Sequence, residues 1–460
     1  MLKYPYWKVI KIKWRSFIAL TVLFLLVGVW FIIKKDADSV AVSGSKNGYS
    51  VLAVNYTDIS EKDIDKLLKN NPDVVCICKA DVVKLEALIG DDSEYNLYSE
   101  PSSDENAFVN AVIWKSTVFE SLKENTVWLS ESLNSSNKYI ESEDYSLCSY
   151  VLLSSGKDSI AFFNCNLDEN KTIREKQIPA LVNRIRCYTS YFPVVVFGDL
   201  NLGADDSVLT SVCGFTRGNN GIYFSCAEAE YSKKTKINYI TPQDTPFELD
   251  FDKKMIALTY DDGPSSGETT DRILDSFEKY NAKATLFTIG VRASADKEKL
   301  IRAFSLGFEI GNHTNNHESF LDNDIYTIRN SLKQTSEYVR DSVGVAPFLV
   351  RPPGGTYRNS LGEICKVDCP IILWSIDTKD YKNGKTPDDV YSSVVDNAFD
   401  GAIVLMHDIH AVSADSAEDI IKDLIYEGYQ LVTVSEIIEF SELELENNSV
   451  YTSASRVYTK

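Results

Sequence analysis

The 460-residue chain has four histidines in two short clusters, His313 and His317 in GNHTNNH and His407 and His410 in VLMHDIH. Upstream, in LTYDDGP, stand the paired carboxylates Asp261 and Asp262. Histidines used as general-purpose residues scatter along a chain, whereas these sit where a water-activating metal centre and a proton donor could be assembled. His313 and His317 are four residues apart, which places both imidazoles on one face if the segment turns helically after a strand. With one carboxylate they make a two-histidine, one-carboxylate site with open positions, suited to Zn²⁺ or another divalent first-row metal. Neighbouring side chains in an extended segment diverge, so Asp262 can bind the metal while Asp261 takes a proton from the attacking water. His407 is then the general acid opposite. Each piece alone has an innocent reading: DDGP is a good turn sequence, histidine pairs arise by chance, and RPP is often a rigid loop. Their conjunction reads as a metal-dependent hydrolase.

Elements that could position these residues recur from Lys253 onward. Strands MIALTYDD, KATLFTIG, FEIGNH, PFLVRPPG, PIILWSID, GAIVLMHD and YQLVTVSEI alternate with helical segments such as TDRILDSFEKYN and AEDIIKDLIYEG. Seven strand-helix repeats predict a parallel barrel over residues 253–440. Asp261, Asp262, His313, Arg351, Asp377, Asp380 and His407 all fall at the C-terminal ends of predicted strands. In barrels the loops at that end converge around one axis and carry the site. The preceding stretch, residues 50–241, has short β-rich runs (DVVCICK, AVIWK, CSYVLL, SIAFFNC, PVVVFGDL) separated by helical intervals over EKDIDKLLKNN and TIREKQIPALVNRIRCYTSY, and is again α/β. Residues 242–252, rich in proline and acids, read as a linker, and residues 441–460, without periodicity, as a loosely ordered tail.

Segment 1–15 is basic, and residues 16–33 run without a charge. Eighteen helical residues span roughly 27 Å, close to the roughly 30 Å hydrocarbon thickness of a bilayer. The basic excess before the segment predicts a cytoplasmic N-terminus, a spacer over 34–49 and export of everything beyond. A cleaved signal peptide is the alternative. A net charge of −20 argues against a nucleic-acid partner. The nine cysteines lack zinc-ribbon spacing and read mostly as small core hydrophobes. Cys365 with Cys369, or Cys148 with Cys165, could pair after export, a choice that geometry has to make.

TYDDGP, HTNNH, RPPGG, DTKDY and LMH occur in the order of the motifs of polysaccharide deacetylases with a NodB-type domain, the family 4 carbohydrate esterases, which residues 253–440 closely resemble. The resemblance implies a distorted (β/α)7 barrel and hydrolytic removal of acetyl from an N-acetylated sugar polymer. It implies one divalent metal, zinc first and cobalt, manganese or nickel as alternatives, held by Asp262, His313 and His317. Asp261 matches the base, His407 the acid, Arg351 the support of the base and Asp380 the residue orienting the acid. Pro353, Gly354, Tyr357, Tyr381 and Leu405 are the implied substrate-binding positions, with the N–H after Pro353 facing the oxyanion. Two departures bear on groove shape: Gly354 and Gly355 stand where tyrosine often follows the proline, and Tyr381 replaces the usual tryptophan. His410 matches no motif and reads as a surface or supporting residue.

Residues 50–241 resemble, more weakly, the endonuclease/exonuclease/phosphatase family related to DNase I, through VLAVNY, NPDVVCICK, VVVFGDLN and KINYI. Asn55, Asp199 and Asn201 fall on that family's active-site positions. Lys79, however, stands where its metal-binding glutamate belongs, Asn166 where a histidine precedes leucine, and Asn238 where an aspartate precedes Tyr239. An ammonium about 4 Å from a divalent cation is repelled by roughly 8 kcal/mol at an effective dielectric of 20. A catalytically silent α/β sandwich is expected, serving as a docking module or a spacer. For the whole chain the expectation is deacetylation of N-acetylglucosamine residues in peptidoglycan beside the membrane. Chitooligosaccharide deacetylase and acetylxylan esterase are the enzymatic alternatives, and a non-catalytic glycan-binding or assembly protein is the rival from another class.

Overall fold

The computed structural model describes residues 48–55, 68–90, 94–99, 109–130, 145–202, 206–218, 222–232, 237–441 and 443–454, with the single residues 133 and 142. The basic segment 1–15, the apolar segment 16–33 and most of the 34–49 spacer lie outside these, as does most of the helix expected over 61–71. Among the described residues no helix is long and apolar enough to cross a membrane.

The first half runs β1 (Tyr49–Asn55), β2 (Val74–Ala80), α1 (Val82–Ile89), β3 (Tyr95–Tyr98), β4 (Val109–Lys115), β5 (Glu120–Trp128), β6 (Leu147–Ser154), β7 (Ser159–Asn166), α2 (Lys171–Thr189), β8 (Val194–Asp199), β9 (Thr216–Arg217), β10 (Tyr223–Ser225), β11 (Ala227–Ser232) and β12 (Ile237–Pro242). These strands form two six-stranded sheets, ordered β11-β12-β1-β2-β4-β3 and β5-β6-β7-β8-β10-β9. Alternation decides the layering, because successive strand residues face opposite sides of a sheet. Val74, Cys76, Cys78, Val112 and Trp114 of one sheet meet Val151, Leu153, Ile160, Phe162 and Val195 of the other in a closed inter-sheet core. The alternate residues Val75 and Ile77 lie with Leu85 of α1, while Tyr150, Phe163 and Val196 lie with Ile185 and Tyr188 of α2. The expected α/β sandwich is present. Cys148 and Cys165 face each other across β6 and β7 and are disulfide-bonded, whereas Cys365 and Cys369 are free. Both bonded cysteines remain in the apolar core, and of the two candidate pairs the antiparallel register selects Cys148 with Cys165.

The second half runs β13 (Lys254–Asp261), α3 (Thr269–Tyr280), β14 (Thr285–Thr288), α4 (Gly290–Ala295), α5 (Lys297–Ser305), β15 (Glu309–Asn312), α6 (Ile325–Val343), β16 (Ile371–Ile372), β17 (Ile376–Asp377), α7 (Pro387–Val395), β18 (Ala402–His407), α8 (Ala411–Tyr426), β19 (Tyr429–Leu431), α9 (Val434–Glu439) and β20 (Val450–Tyr451). Parallel pairing runs β15-β14-β13-β18-β17, with β19 beside the start of β13. Val350 bridges Asn312 on one side and Ile371 on the other, which closes the ring. The helices have local causes. Asp324 caps α6 by accepting from the Tyr326 and Thr327 amides, Gly344 ends it at φ 87°, and Thr386 with Asp389 forms a capping box on α7.

The barrel is distorted for identifiable reasons. The strand expected over PFLVRPPG shrinks to the single bridge at Val350, since Pro347, Pro352 and Pro353 have no N–H to donate to a ladder. PIILWSID splits into β16 and β17, because the Ile372 and Leu373 carbonyls turn to accept from the Arg351 guanidinium. YQLVTVSEI stops at Leu431, where Thr433 and Glu436 cap a helix instead. The tail is not loose through residue 454. Its β20 pairs with β16, the Ala454 amide donates to Gly401 O at 2.7 Å, and Leu445 and Ala454 are buried. It occupies the lower part of the gap that the split strand leaves.

The two halves share one apolar core. Tyr188, Tyr191 and Phe192 at the end of α2 join Val434, Ile437, Ile438 and Phe440, which in turn join Ala257, Phe287 and Leu349 inside the barrel. The linker residues Phe247 and Leu249 pack on this core as well. Polar groups within it are paired. Glu439, 1% exposed, accepts from the Tyr188 hydroxyl at 2.6 Å and the Tyr150 hydroxyl at 3.0 Å and is ion-paired with Arg184. Glu436 accepts from Tyr191 and is ion-paired with the buried Lys283, whose ammonium lies 3.9 Å from the centre of the Tyr191 ring. Removing one member of such a pair strands a buried charge, which costs about 3–5 kcal/mol. Glu439→Ala is therefore expected to lower stability by about that amount in urea titrations followed by tryptophan fluorescence. A loss below about 1 kcal/mol contradicts this account of the junction.

Candidate active site

Strand β13 sorts its side chains by alternation. Tyr260 joins the apolar layer between strands and helices, while Thr259 and Asp261 turn toward Arg351. After Asp261 the chain enters a left-handed residue, Asp262 at φ 75°. Gly263 then passes so close to Asp408 that a Cβ on it would lie 1.9 Å from that carboxylate, so only glycine fits. His313 follows β15 directly, anchored by its amide to Thr288 O at 3.0 Å. The route from His313 to His317 is not the expected helical turn. Thr314 (φ 66°) and His317 (φ 64°) are left-handed, and the loop is held by Asn312 Oδ1 on the Thr314 amide and by Ser331 Oγ on the Asn315 amide. The imidazoles converge because this loop bends back, which four-residue spacing on a helix does not describe.

Asp262, His313 and His317 each direct one ligand atom into a common space, all within 4.8 Å of one another. Both Nε2 atoms lie 3.4 Å from Asp262 Oδ1. That oxygen is buried and has no hydrogen-bond partner. His313 donates from Nδ1 to the Arg351 carbonyl at 2.7 Å, which leaves the Nε2 lone pair pointing into the space. Burial opposes the charge on Asp262, but His313 outweighs it and holds the carboxyl at about 2. Burial and the neighbouring His313 push His317 below the ordinary histidine value, so it stays neutral. An orphaned carboxylate oxygen facing two imidazole nitrogens is a donor set that fits a divalent cation such as zinc.

Flanking this set are two groups fit for proton transfer. Asp261 is buried at one side, 3.8 Å from His313 Nε2, with Arg351 NH1 on its Oδ1 at 2.7 Å. On the other side His407 ends β18, next to Asp261 in the parallel register. Its Nδ1 bonds Asp380 Oδ1 at 2.8 Å and its amide donates to Asp380 Oδ2 at 2.7 Å. Burial alone would lower the His407 pKa, but the Asp380 bond and the carboxylates Asp261 and Asp262 raise it to about 9. An imidazole protonated at neutral pH, with the buried carboxylate of Asp261 next to it across the strand pair, places an acid and a base in one site.

The remaining candidates divide. Pro353 begins a tight turn whose internal bonds are Gly355 N to Pro352 O and Thr356 N to Pro353 O, and the Gly354 amide takes no part in them. Gly354 lies at φ 63° and Gly355 at φ 71°, with the Trp374 ring so near Gly355 that a Cβ would meet it at 2.9 Å. Tyr381 is half exposed with its ring edge-on to His407 at 5.4 Å, and Leu405 is buried on β18. Tyr357 packs instead into the cluster of Phe320, Ile328 and Cys365. Asp377 accepts from the Lys379 amide and the Tyr381 hydroxyl and does not join the proton-transfer pair. His410 immediately precedes α8 without a side-chain bond to its first amides, its ring centre 5.6 Å from that of His407. Sequence reasoning missed Thr259, Ser413 and Trp374. Ser413 donates to Asp380 at 2.5 Å and Thr259 accepts from Arg351 at 2.6 Å. No motif marks them, since serine and threonine are common and only the fold brings them near.

In the first half, Lys79 Nζ lies 3.3 Å from Asp199. Asn166, at a position expected to be histidine in a working nuclease, accepts from Asn110 at 2.9 Å and donates to Tyr145 O. Asn201 donates to Leu167 O at 2.7 Å. The side chains of Asn55 and Asn238 lie outside the described residues.

A profile described as polysaccharide deacetylase matches residues 248–367. The peptidoglycan-N-acetylmuramic acid deacetylase PdaC of Bacillus subtilis is 40% identical over 42% of this chain and 40% of its own length. The peptidoglycan-N-acetylglucosamine deacetylase PgdA of Listeria monocytogenes is 36% identical over 40% of this chain and 39% of its own. The chain thus spans about two fifths of these two relatives. A peptidoglycan-N-acetylglucosamine deacetylase of Bacillus cereus is 33% identical over 42% of this chain and 92% of its own length. A likeness that runs along nearly the whole of that relative, together with the convergence of Asp262, His313 and His317, leads to one conclusion: this chain belongs to the polysaccharide deacetylase family.

Proposed function

We propose that this chain hydrolyses the acetamido group of N-acetylated sugars in peptidoglycan, with N-acetylglucosamine or N-acetylmuramic acid as the unit attacked. The observation that carries the reading is the meeting of a cation-binding triad with a buried base and a protonated imidazole at one end of the barrel. The names of the relatives point to the same polymer. A zinc or similar divalent ion bound by Asp262, His313 and His317 supplies the Lewis acidity that such amide hydrolysis needs. Asp261, fixed by Arg351, takes the proton of the attacking water. The Gly354 amide is the backbone donor for the developing oxyanion. His407, held by Asp380, gives its proton to the departing amine.

The charge-free segment 16–33 and the basic residues before it support anchoring in the cell membrane, with the remainder of the chain outside. The Cys148–Cys165 disulfide supports an oxidising compartment. The first half is silent in catalysis, since Lys79 occupies the place of a metal ligand and lies against Asp199.

Three measurements check this reading. Acetate release from peptidoglycan glycan strands, chitooligosaccharides and acetylxylan is expected to vanish with chelator and return with zinc; no release from any of them after reconstitution contradicts it. Asp261→Asn is expected to lower kcat by about 10²–10⁴-fold while metal content, by elemental analysis, stays at that of the parent. If cellular function survives that substitution intact, a non-catalytic glycan-binding role takes its place. Asp380→Asn removes the charge that raises His407, so the alkaline fall in kcat should begin at lower pH than in the parent. An unmoved or upward-shifted limb argues against His407 as the acid.

A further inference from the structure

Beside the triad lies a cleft of about 410 Å³ lined by Pro264, Ser265, Ser266, Arg292, Asp296 and Ile409. Its position follows from the chain. Pro264 lies two residues after the ligand Asp262, and Ile409 two residues after the acid His407, so the cleft opens between the loops that carry them. A sugar ring whose N-acetyl group reaches the triad would extend its neighbouring substituents into this space.

Arg292 is the informative residue. It stands on α4, half-buried, and NH1 donates to the Asp262 carbonyl at 2.9 Å. Among the described residues its side chain makes no other hydrogen bond or ion pair, although the buried Asp408 lies within its field, so Nε and NH2 keep their donors for a ligand. The one acid in the cleft, Asp296, is neutralised by Lys299 at 3.0 Å, and Lys299 also pins the Ser265 and Gly267 carbonyls at 2.7 Å. Ser266 offers an exposed hydroxyl beside it. A guanidinium with an open edge is the group that matches a carboxylate in plane and spacing. The chain carries a net charge of −20, whose field repels acidic glycans, so holding one requires a local cation of this kind.

We propose that this cleft is a subsite for a carboxylate on the glycan, as carried by the lactyl ether of N-acetylmuramic acid, with Arg292 as the specificity-determining residue. The proposal rests on the deacetylase reading above and narrows it to acidic amino-sugar polymers. The test crosses enzyme and substrate changes. Peptide-free strands of alternating N-acetylglucosamine and N-acetylmuramic acid are offered to the zinc-reconstituted full chain with their carboxylates free or methyl-esterified. In the parent, esterification is expected to lower kcat/KM about tenfold or more, the size of a lost charged hydrogen bond. In Arg292→Gln the free and esterified strands are expected to be processed alike. A loss common to both, through loosening of the Asp262 loop, cancels in the ratio. An equal esterification effect in parent and variant, or none in the parent, overturns the subsite. Absence of acetate release from these strands and from neutral chitooligosaccharides alike overturns the deacetylase reading itself.

Discussion

A guanidinium shut away from water has to place its donors on protein, and that requirement at Arg351 organises the barrel's functional end. Arg351 is fully buried and bonds Thr259, Asp261 and the carbonyls of Ile372 and Leu373. Its own carbonyl takes the Nδ1 proton of His313. One residue thus fixes the Asp261 carboxylate, orients the ring of the candidate metal ligand His313 and draws two carbonyls of a barrel strand toward itself. Lysine keeps the charge but has no fork with which to reach four acceptors at once.

The break in that strand spreads outward. β20 from the tail pairs with β16, the Leu373 amide donates to Tyr451 O, and Ser453 bridges Ala402 of β18, so the tail runs between the first part of the split strand and β18. The same distortion lets β17 approach β18, so that the Asp380 loop reaches back over His407. Distortion of the ring and construction of the acid therefore have one cause. The loop from His313 to His317 owes its shape to left-handed residues and side-chain bonds. Such bonds hold the candidate ligands in place without a helix beneath them.

At the opposite end the barrel packs against the other half of the chain. α9 closes it and is also the surface on which α2 of the sandwich rests, with Glu436 and Glu439 paired across the junction. Burying ion pairs gains little net stability over an apolar contact, but a mismatched partner would leave charges stranded. The junction thus fixes one relative placement of sandwich and barrel.

The chemistry of the second half was legible in the order of its motifs, because catalysis demands particular residue types at strand ends and tolerates few substitutes. Asp261, Asp262, His313, His317, Arg351, Asp380 and His407 stand at one end of the barrel, where strand-end placement puts them, although the helical turn expected between the two histidines is absent. Barrel and sandwich were legible too, since alternation and helical periodicity are local consequences of burial. Tertiary structure alone decided the loop path between the two histidines, the pairing of Cys148 with Cys165, the ordering of the tail, the shared core and the service of Thr259, Ser413 and Arg292. Each of these depends on partners distant in sequence or on backbone φ angles that residue type only weakly prefers. Spacing along a chain records which groups are present, whereas the folded contacts determine what each group faces.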